Sequence, residues 1–265
     1  MNRKPSISER SALYAYLILT PLISLAVALF LPLPVIGIAL LMLLIPSTLA
    51  VLFATLAEGR KGMSELLWKL FQWNASLKWY VVALALPAVI ILLSSVVAFL
   101  FGWSPAVEIQ IPSASQLITN LLLIVLIAVL EELGWRGYAL PRLLSYHSPL
   151  TSALIIGTLW GLLHIGIGLA DGRPWLPTFL TPFGISITLT WLFLHTRGSL
   201  AMAMLFHFAI DYFPQFFLQG LTVSQGLWAQ TIINIIVAFV LILLFGAGLQ
   251  RSPAKELAVA DAARH

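Results

Sequence analysis

Eight apolar stretches, each long enough to cross a lipid bilayer, occupy most of this 265-residue chain. A membrane-spanning helix needs about 20 predominantly apolar residues, and this sequence is 60% hydrophobic and only 9% charged. Such a chain is predicted to fold as an all-α, polytopic membrane helix bundle with about eight transmembrane helices. The predicted spans lie near residues 11–32, 35–57, 78–101, 114–134, 150–170, 177–195, 199–219 and 227–249.

These spans leave no room for a separate soluble domain. We predict a single transmembrane domain over residues 1–251, with its core region at about 114–219, followed by a cytoplasmic tail at 252–265. Between spans, the segments 58–77 and 138–147 carry apolar residues at helical spacing. This pattern predicts two amphipathic helices that lie in the membrane interface.

The basic residues predict the orientation of the chain. If the N-terminus is cytoplasmic, only Arg173 lies outside, and the positive-inside rule then places both termini in the cytoplasm. The net charge of +4 could suggest a nucleic-acid partner, but the basic residues are scattered in short loops. We therefore predict membrane lipid and no nucleic acid as partner. The basic residues on the cytoplasmic side would be Arg3, Lys4, Arg10, Arg60, Lys61, Lys69, Lys78, Arg136, Arg142, Arg197, Arg251, Lys255 and Arg264.

Against this apolar background, a few ionisable residues fall within three of the later spans. Placing such groups in a bilayer is costly, and a functional site is the default interpretation of an intramembrane ionisable residue. The chain has no cysteine, so a metal could bind only through histidine and carboxylate side chains. The residues concerned are Glu131, Glu132, Arg136, His164, His207 and Asp211.

Helical spacing assigns different roles to the two adjacent glutamates. Residues four apart share a helix face, whereas neighbours diverge by about 100°. Glu132 and Arg136 are therefore predicted to form an ion pair, while Glu131 points elsewhere. A carboxylate neutralised by arginine is a poor base. Glu131 is thus the candidate general base and Glu132 the structural anchor.

His207 and Asp211 are also four residues apart and are predicted to face the same way. A carboxylate beside an imidazole can fix its tautomer or favour its cationic form. With His164 on the preceding histidine-bearing span, the set matches the needs of a water-activating hydrolase. A single intramembrane histidine is more often a packing residue, and Asn234 is interpreted that way. The concentration of so many ionisable groups on three spans favours catalysis.

The three motifs together resemble those of a known family. Glu131-Glu132-Leu-Gly-Trp-Arg136, then Trp160 four residues before His164, then His207 four residues before a polar residue, resemble the CPBP family of intramembrane proteases. That family includes the type II CAAX prenyl proteases and bacterial relatives, some linked to bacteriocin handling. The similarity spans roughly residues 114–219, and three ordered motifs on successive helices make it specific.

The resemblance implies an eight-span endopeptidase in a bacterial or archaeal plasma membrane. Its intramembrane cavity would face the cytoplasm, and it would cleave a peptide or lipidated protein near the C-terminus. Glu131 with His164 would activate water, and His207 with Asp211 would stabilise the oxyanion. Oligomeric state and the need for prenylation stay open.

This sequence departs from the family pattern at two positions. Trp160 stands where the family usually has Phe, which should be harmless for an aromatic wall. Asp211 stands where the prenyl proteases have Asn, and an ionised carboxylate would repel an oxyanion. Asp211 must then be protonated, paired with a cationic His207, or serving a metal.

The sequence is compatible with a reaction with or without a cofactor. Either no cofactor is required, or Glu131, His164 and His207 hold a divalent metal such as zinc in a three-ligand site. We favour the metal-free glutamate mechanism. For Glu131 to meet His164, the fourth helix is expected to continue past Arg136 toward Pro141.

Two other functions compete with proteolysis. A proton-coupled transporter could use buried Glu, His and Asp residues, but the sequence shows no inverted repeat and no paired broken helices. A noncatalytic membrane scaffold or immunity factor could keep the same fold. Intact motifs argue against this second alternative without excluding it.

Overall fold

The structure is a computed structural model that describes residues 7–31 and 34–250. The predicted tail at 252–265 and the N-terminal basic residues Arg3 and Lys4 lie outside these residues. The part described is helical and contains no β-strand. Its α-helices are α1 Glu9–Phe30, α2 Val35–Trp68, α3 Leu77–Leu100, α4 Ala114–Glu132, α5 Leu140–Leu143, α6 Pro149–Asp171, α7 Trp175–His195, α8 Leu200–Tyr212, α9 Pro214–Phe217 and α10 Val223–Phe245.

Within the described residues, eight helices are long and apolar enough to cross a membrane, which confirms the predicted all-α membrane bundle. Large apolar side chains such as Phe30 and Leu122 are exposed on the outer faces, at 79% and 67% of their surface. Surfaces of this kind suit a lipid environment, because hydrocarbon solvates them without cost. The chain is an integral, multi-pass membrane protein. The orientation of its termini stays a prediction.

Several of the long helices are capped at the N-terminus by a hydroxyl side chain. Ser113, Ser148, Ser199 and Thr222 each precede a helix and accept a hydrogen bond from the backbone N–H three residues later. The first N–H groups of a helix lack partners within the helix, so a side-chain oxygen stabilises the end of the span. The loop residues that precede these four spans therefore also fix where each of the four begins.

The fourth span continues past Arg136, as predicted, but through a different geometry. A π-helical segment, Leu133–Ala139, follows α4 and leads directly into α5. Residues 138–140 and Leu143 are fully buried in this continuation. The prediction that 138–147 forms a second interfacial amphipathic helix is therefore wrong, because α5 ends at Leu143 and most apolar side chains up to that residue pack inside the bundle.

The segment after the second span is helical, but it is shorter than predicted. α2 bends at Gly59, whose φ of 70° lies in the left-handed region that glycine tolerates. The chain beyond the bend is helical to Phe71, and residues 72–76 are irregular. The predicted helix over 58–77 thus ends six residues early. Its exposed aromatic residues, Trp68 and Phe71, are typical of a membrane interface.

Candidate active site

The two glutamates lie at the junction between α4 and the π-helical segment, and both are buried. Glu131 is 1% exposed and Glu132 is fully buried. A π-helical turn widens the helix locally, and such turns inside α-helices are frequent at functional sites. Here the segment that follows the glutamates carries Arg136 and packs against α2 at Gly134, where an added Cβ would lie 2.7 Å from the backbone of Pro46.

Glu132 is held by two partners through one oxygen. Its Oε1 accepts a hydrogen bond from Arg136 Nη1 at 2.9 Å and lies 2.8 Å from His207 Nδ1. The ion pair with Arg136, predicted from the spacing, is present. The contact with His207 was not predicted, because it joins residues 75 positions apart. Glu132 therefore anchors α8 as well as its own helix.

Glu131 has a different environment from its neighbour. Its Oε2 accepts a hydrogen bond from the indole Nε1 of Trp160 at 2.7 Å. His207 Nε2 lies 3.9 Å from the same oxygen, which is beyond hydrogen-bond length. No lysine or arginine in the described chain forms an ion pair with Glu131. This carboxylate is thus buried without a lysine or arginine partner, and His207 is its nearest potential cation.

His207 lies between carboxylates on both sides of its ring. Nδ1 faces Glu132, and Nε2 lies 3.3 Å from Asp211 Oδ2. The His207 side chain is 3% exposed, whereas that of Asp211 is 42% exposed. The structure thus places His207 and Asp211 on the same face, in agreement with their spacing. Asp211 is the member of the cluster that an incoming molecule can reach most easily.

His164 reaches the cluster through Trp160. Its Nδ1 lies 2.9 Å from the backbone carbonyl of Trp160, and its ring meets the indole edge-on at 5.7 Å between centroids. A carbonyl can only accept, so the proton of a neutral His164 is on Nδ1 and its Nε2 carries a lone pair. Within the described residues, no hydrogen bond or ion pair joins His164 to Glu131 or His207.

Trp160 is the residue that sequence reasoning underestimated. Its indole contacts Glu131 through the hydrogen bond, His207 at 5.2 Å between centroids, and the Arg136 guanidinium at 4.7 Å from the ring centre. The available signal was the indole N–H itself, which a phenyl ring lacks. A buried tryptophan usually places its N–H against an acceptor, so Trp160 was a candidate partner for a carboxylate.

The zinc site considered from the sequence does not fit this arrangement. Among the residues that the structure describes, no group of three or more His, Asp or Glu side chains could hold a metal ion. Both nitrogens of His207 already face carboxylates, and Nδ1 of His164 is bonded to a carbonyl. The set of Glu131, His164 and His207 therefore does not present three convergent ligand atoms.

The π-helical segment is also fastened from the side of α2. Lys69 Nζ donates a hydrogen bond to the Gly137 carbonyl at 2.8 Å. Arg142 donates to the Tyr138 carbonyl at 3.1 Å and forms an ion pair with Glu58. These contacts satisfy carbonyls in the widened segment and fix the turn that carries Arg136. The supporting residues come from outside the three motifs.

The sequence of this region is similar to that of known proteins. Residues 113–213 match the family described as type II CAAX prenyl endopeptidase Rce1-like. A CAAX prenyl protease 2 from Methanococcus maripaludis is 34% identical over 146 residues, which cover 49% of this chain and 53% of the relative. The chain thus spans about half the length of the curated relative that it matches.

The matched region contains all the ionisable residues of the cluster. It begins at the N-cap of α4 and ends just after Asp211. The resemblance predicted from the three motifs is thereby confirmed: residues 113–213, which we name the Rce1-like region, are similar to the type II CAAX prenyl endopeptidase family.

Proposed function

We propose that this chain is an intramembrane endopeptidase that hydrolyses a peptide bond of a membrane-associated substrate with water activated by Glu131 and His164. The observation that carries the proposal is the contrast between the two adjacent carboxylates. Glu132 is neutralised by Arg136, whereas Glu131 is buried with an indole donor and no lysine or arginine pair in the described chain. A carboxylate of the second kind can accept a proton.

In the proposed reaction, a water molecule lies between Glu131 and the lone pair on Nε2 of His164. Glu131 takes one proton as the water oxygen bonds to the carbonyl carbon of the substrate. The proton then moves to the amide nitrogen as the carbon–nitrogen bond breaks, which leaves a carboxylic acid and an amine. Glu131 returns to its starting state, so the step balances without a cofactor.

His207 is proposed to stabilise the oxyanion. With Glu132 at Nδ1 and Asp211 at Nε2, the ring is surrounded by acceptors, which favours the doubly protonated imidazolium. The positive charge of this ring stabilises, through space, the negative oxygen that forms during attack. Of the three roles open to Asp211, pairing with His207 agrees best with the 3.3 Å contact. Its negative charge is then balanced by the ring.

The proposed substrate is a C-terminal peptide with a lipid attached. The relative from Methanococcus maripaludis is named a CAAX prenyl protease 2, and we extend that substrate class to this chain as a hypothesis. A lipidated peptide would reach the site through the membrane, and the exposed edge of the cluster at Asp211 is where the peptide would arrive. Cleavage is proposed near the C-terminus, on the cytoplasmic side of a bacterial or archaeal plasma membrane.

The test is peptide cleavage by the purified protein in detergent. A fluorogenic library is offered in lipidated and unlipidated forms to the wild type, to Glu131→Gln and to the matched control Glu108→Gln. Glu108 lies exposed in the irregular loop before α4. We expect wild-type turnover, loss of about 10²–10⁴-fold in kcat for Glu131→Gln, and no change for Glu108→Gln. Turnover should persist with a chelator.

Three results would contradict the proposal. Unchanged cleavage in Glu131→Gln would remove this residue as the base. Loss of activity on chelation, with recovery on adding zinc, would replace the glutamate mechanism with a metal mechanism. Folded protein without turnover on any library member would favour the noncatalytic scaffold that keeps the same fold.

A further inference from the structure

The indole of Trp160 occupies a distinctive position in the site. Among the described residues, its Nε1 is the only hydrogen-bond donor to the Glu131 carboxylate, at 2.7 Å. It binds Oε2 and leaves Oε1 unbonded by any described residue. A short hydrogen bond to an ionised acceptor is stronger than one between neutral groups.

The ring itself is fixed on several sides. Trp160 is 2% exposed. The Arg136 guanidinium covers its face at 4.7 Å, and the rings of His164 and His207 meet it edge-on at 5.7 Å and 5.2 Å. An indole enclosed in this way has little freedom to rotate, so the direction of its N–H is set by packing. The donor is therefore oriented before a substrate arrives.

We propose that Trp160 is a positioning residue that holds Glu131 in the rotamer required for proton abstraction. The indole N–H fixes Oε2, so that Oε1 faces the attacking water. Without it, a buried carboxylate lacks a donor and turns toward the cation at Arg136 or toward His207, where it can no longer take the proton. This inference rests on the proposed proteolytic function, and it assigns Trp160 more than the role of an apolar wall.

Two variants that lack the indole N–H test the positioning role of Trp160. Trp160→Phe removes the donor and keeps an aromatic ring, and incorporation of 3-benzothienylalanine at position 160 keeps the bicyclic shape while sulfur replaces N–H. We expect kcat to fall about tenfold to hundredfold in both, from the loss of one hydrogen bond to a charged group, with KM unchanged. The double variant Glu131→Gln/Trp160→Phe should be no slower than Glu131→Gln alone.

Trp191 offers a matched control. It lies in α7, its Nε1 is buried, and that nitrogen finds no partner among the described residues. Trp191→Phe should therefore leave kcat and KM at their wild-type values. Activity restored by benzothienylalanine, unchanged kcat in both Trp160 variants, or an increase in KM matched by a lower Tm would each overturn the positioning role.

A second readout separates this inference from the proposed function. In protein labelled with ¹⁵N at the indole nitrogens, the Trp160 resonance is assigned by its loss in Trp160→Phe. We expect it downfield, as for a strongly bonded N–H, and shifted upfield in Glu131→Ala. If that shift occurs in protein that cleaves no peptide, the hydrogen bond stands and the proteolytic function fails. A resonance insensitive to Glu131→Ala would refute the Trp160 inference itself.

Discussion

Buried hydroxyls bonded one turn back occur both in the first three helices and in the Rce1-like region, but among the described residues only the second buries charged side chains. In α1 and α3, buried hydroxyls bond to carbonyls of their own helix, as Thr20 does to Tyr16 at 2.7 Å and Ser94 to Ile90 at 2.8 Å. In the region 113–213, Glu131 and Glu132 instead bond to α6 and α8, across 29 and 75 positions of sequence.

Two classes of buried polar group can be distinguished. The first is satisfied within its own helix, and the second has a cost of burial in the membrane that only other groups can offset. A hydroxyl bonded one turn back needs no other helix, so it constrains packing little. A buried carboxylate or guanidinium needs partners that only other helices supply. The contacts of buried charged groups with other helices therefore lie in the part of the bundle for which we propose the chemistry.

The largest effect on stability is expected from Glu132→Ala. It leaves Arg136, which is fully buried, without its ion-pair partner and removes the acceptor for His207 Nδ1. Breaking a buried pair by removing one member costs about 3–5 kcal/mol. We expect a loss of that size in the free energy of unfolding, measured by denaturant titration in detergent.

Glu131→Ala is the matched control for this prediction. It removes the adjacent carboxylate, yet leaves no lysine or arginine unpaired in the described chain. We expect it to lose cleavage and to destabilise by about 1–3 kcal/mol, less than Glu132→Ala, because only the Trp160 N–H loses its acceptor. Equal destabilisation by the two alanine variants would show that the neighbouring glutamates are not divided into an anchor and a base.

A smaller loss is expected where the two regions touch. At Gly134, in the π-helical segment, a Cβ would lie 2.7 Å from Pro46 of α2 and 2.7 Å from the hydroxyl of Tyr16. Backbone atoms cannot move aside easily, so Gly134→Ala should destabilise by about 1–3 kcal/mol. It should also lower kcat, because the turn that carries Arg136 shifts.

Gly226 provides the opposite case. It lies in α10, and a Cβ there would meet nothing within 4 Å. Gly226→Ala should raise the free energy of unfolding by about 0.5–1 kcal/mol, because alanine loses less entropy in a helix. If both substitutions stabilise the protein, the close contact between the π-helical segment and α2 is not present in solution.

The sequence was sufficient to predict features that depend on spacing within one helix. The number of spans, the Glu132–Arg136 pair and the shared face of His207 and Asp211 all follow from apolar length and the helical period. It did not reveal the π-helical segment, because the sequence pattern does not distinguish a widened turn from an α-helix, and it missed the burial of 138–140 because apolar residues look alike at the membrane interface and in the interior. The bond from Trp160 to Glu131 was missed because helical spacing says nothing about which helices become neighbours.

Asp211→Asn should have a modest effect on activity and little on stability. The side chain is 42% exposed, and the buried His207 ring keeps the Glu132 carboxylate as its counter-charge. Asparagine can still accept from His207 Nε2 through its amide oxygen and can offer its NH₂ to the oxyanion. We expect kcat to fall by no more than about tenfold, as for one neutral hydrogen bond. A loss as large as that of Glu131→Gln would instead give Asp211 a direct part in proton transfer.

The smallest difference is expected between two buried serines. Ser94 bonds to its own helix, whereas Ser186 in α7 donates to the Ala153 carbonyl of α6 at 2.9 Å. Ser94→Ala should change the free energy of unfolding by less than about 0.5 kcal/mol, and Ser186→Ala should cost about 0.6 kcal/mol, a typical value for a polar contact between membrane helices. Both should cleave peptides at the wild-type rate. A larger cost for Ser94→Ala would mean that local hydroxyl bonds matter as much as those between helices, which would remove the physical distinction between the two regions.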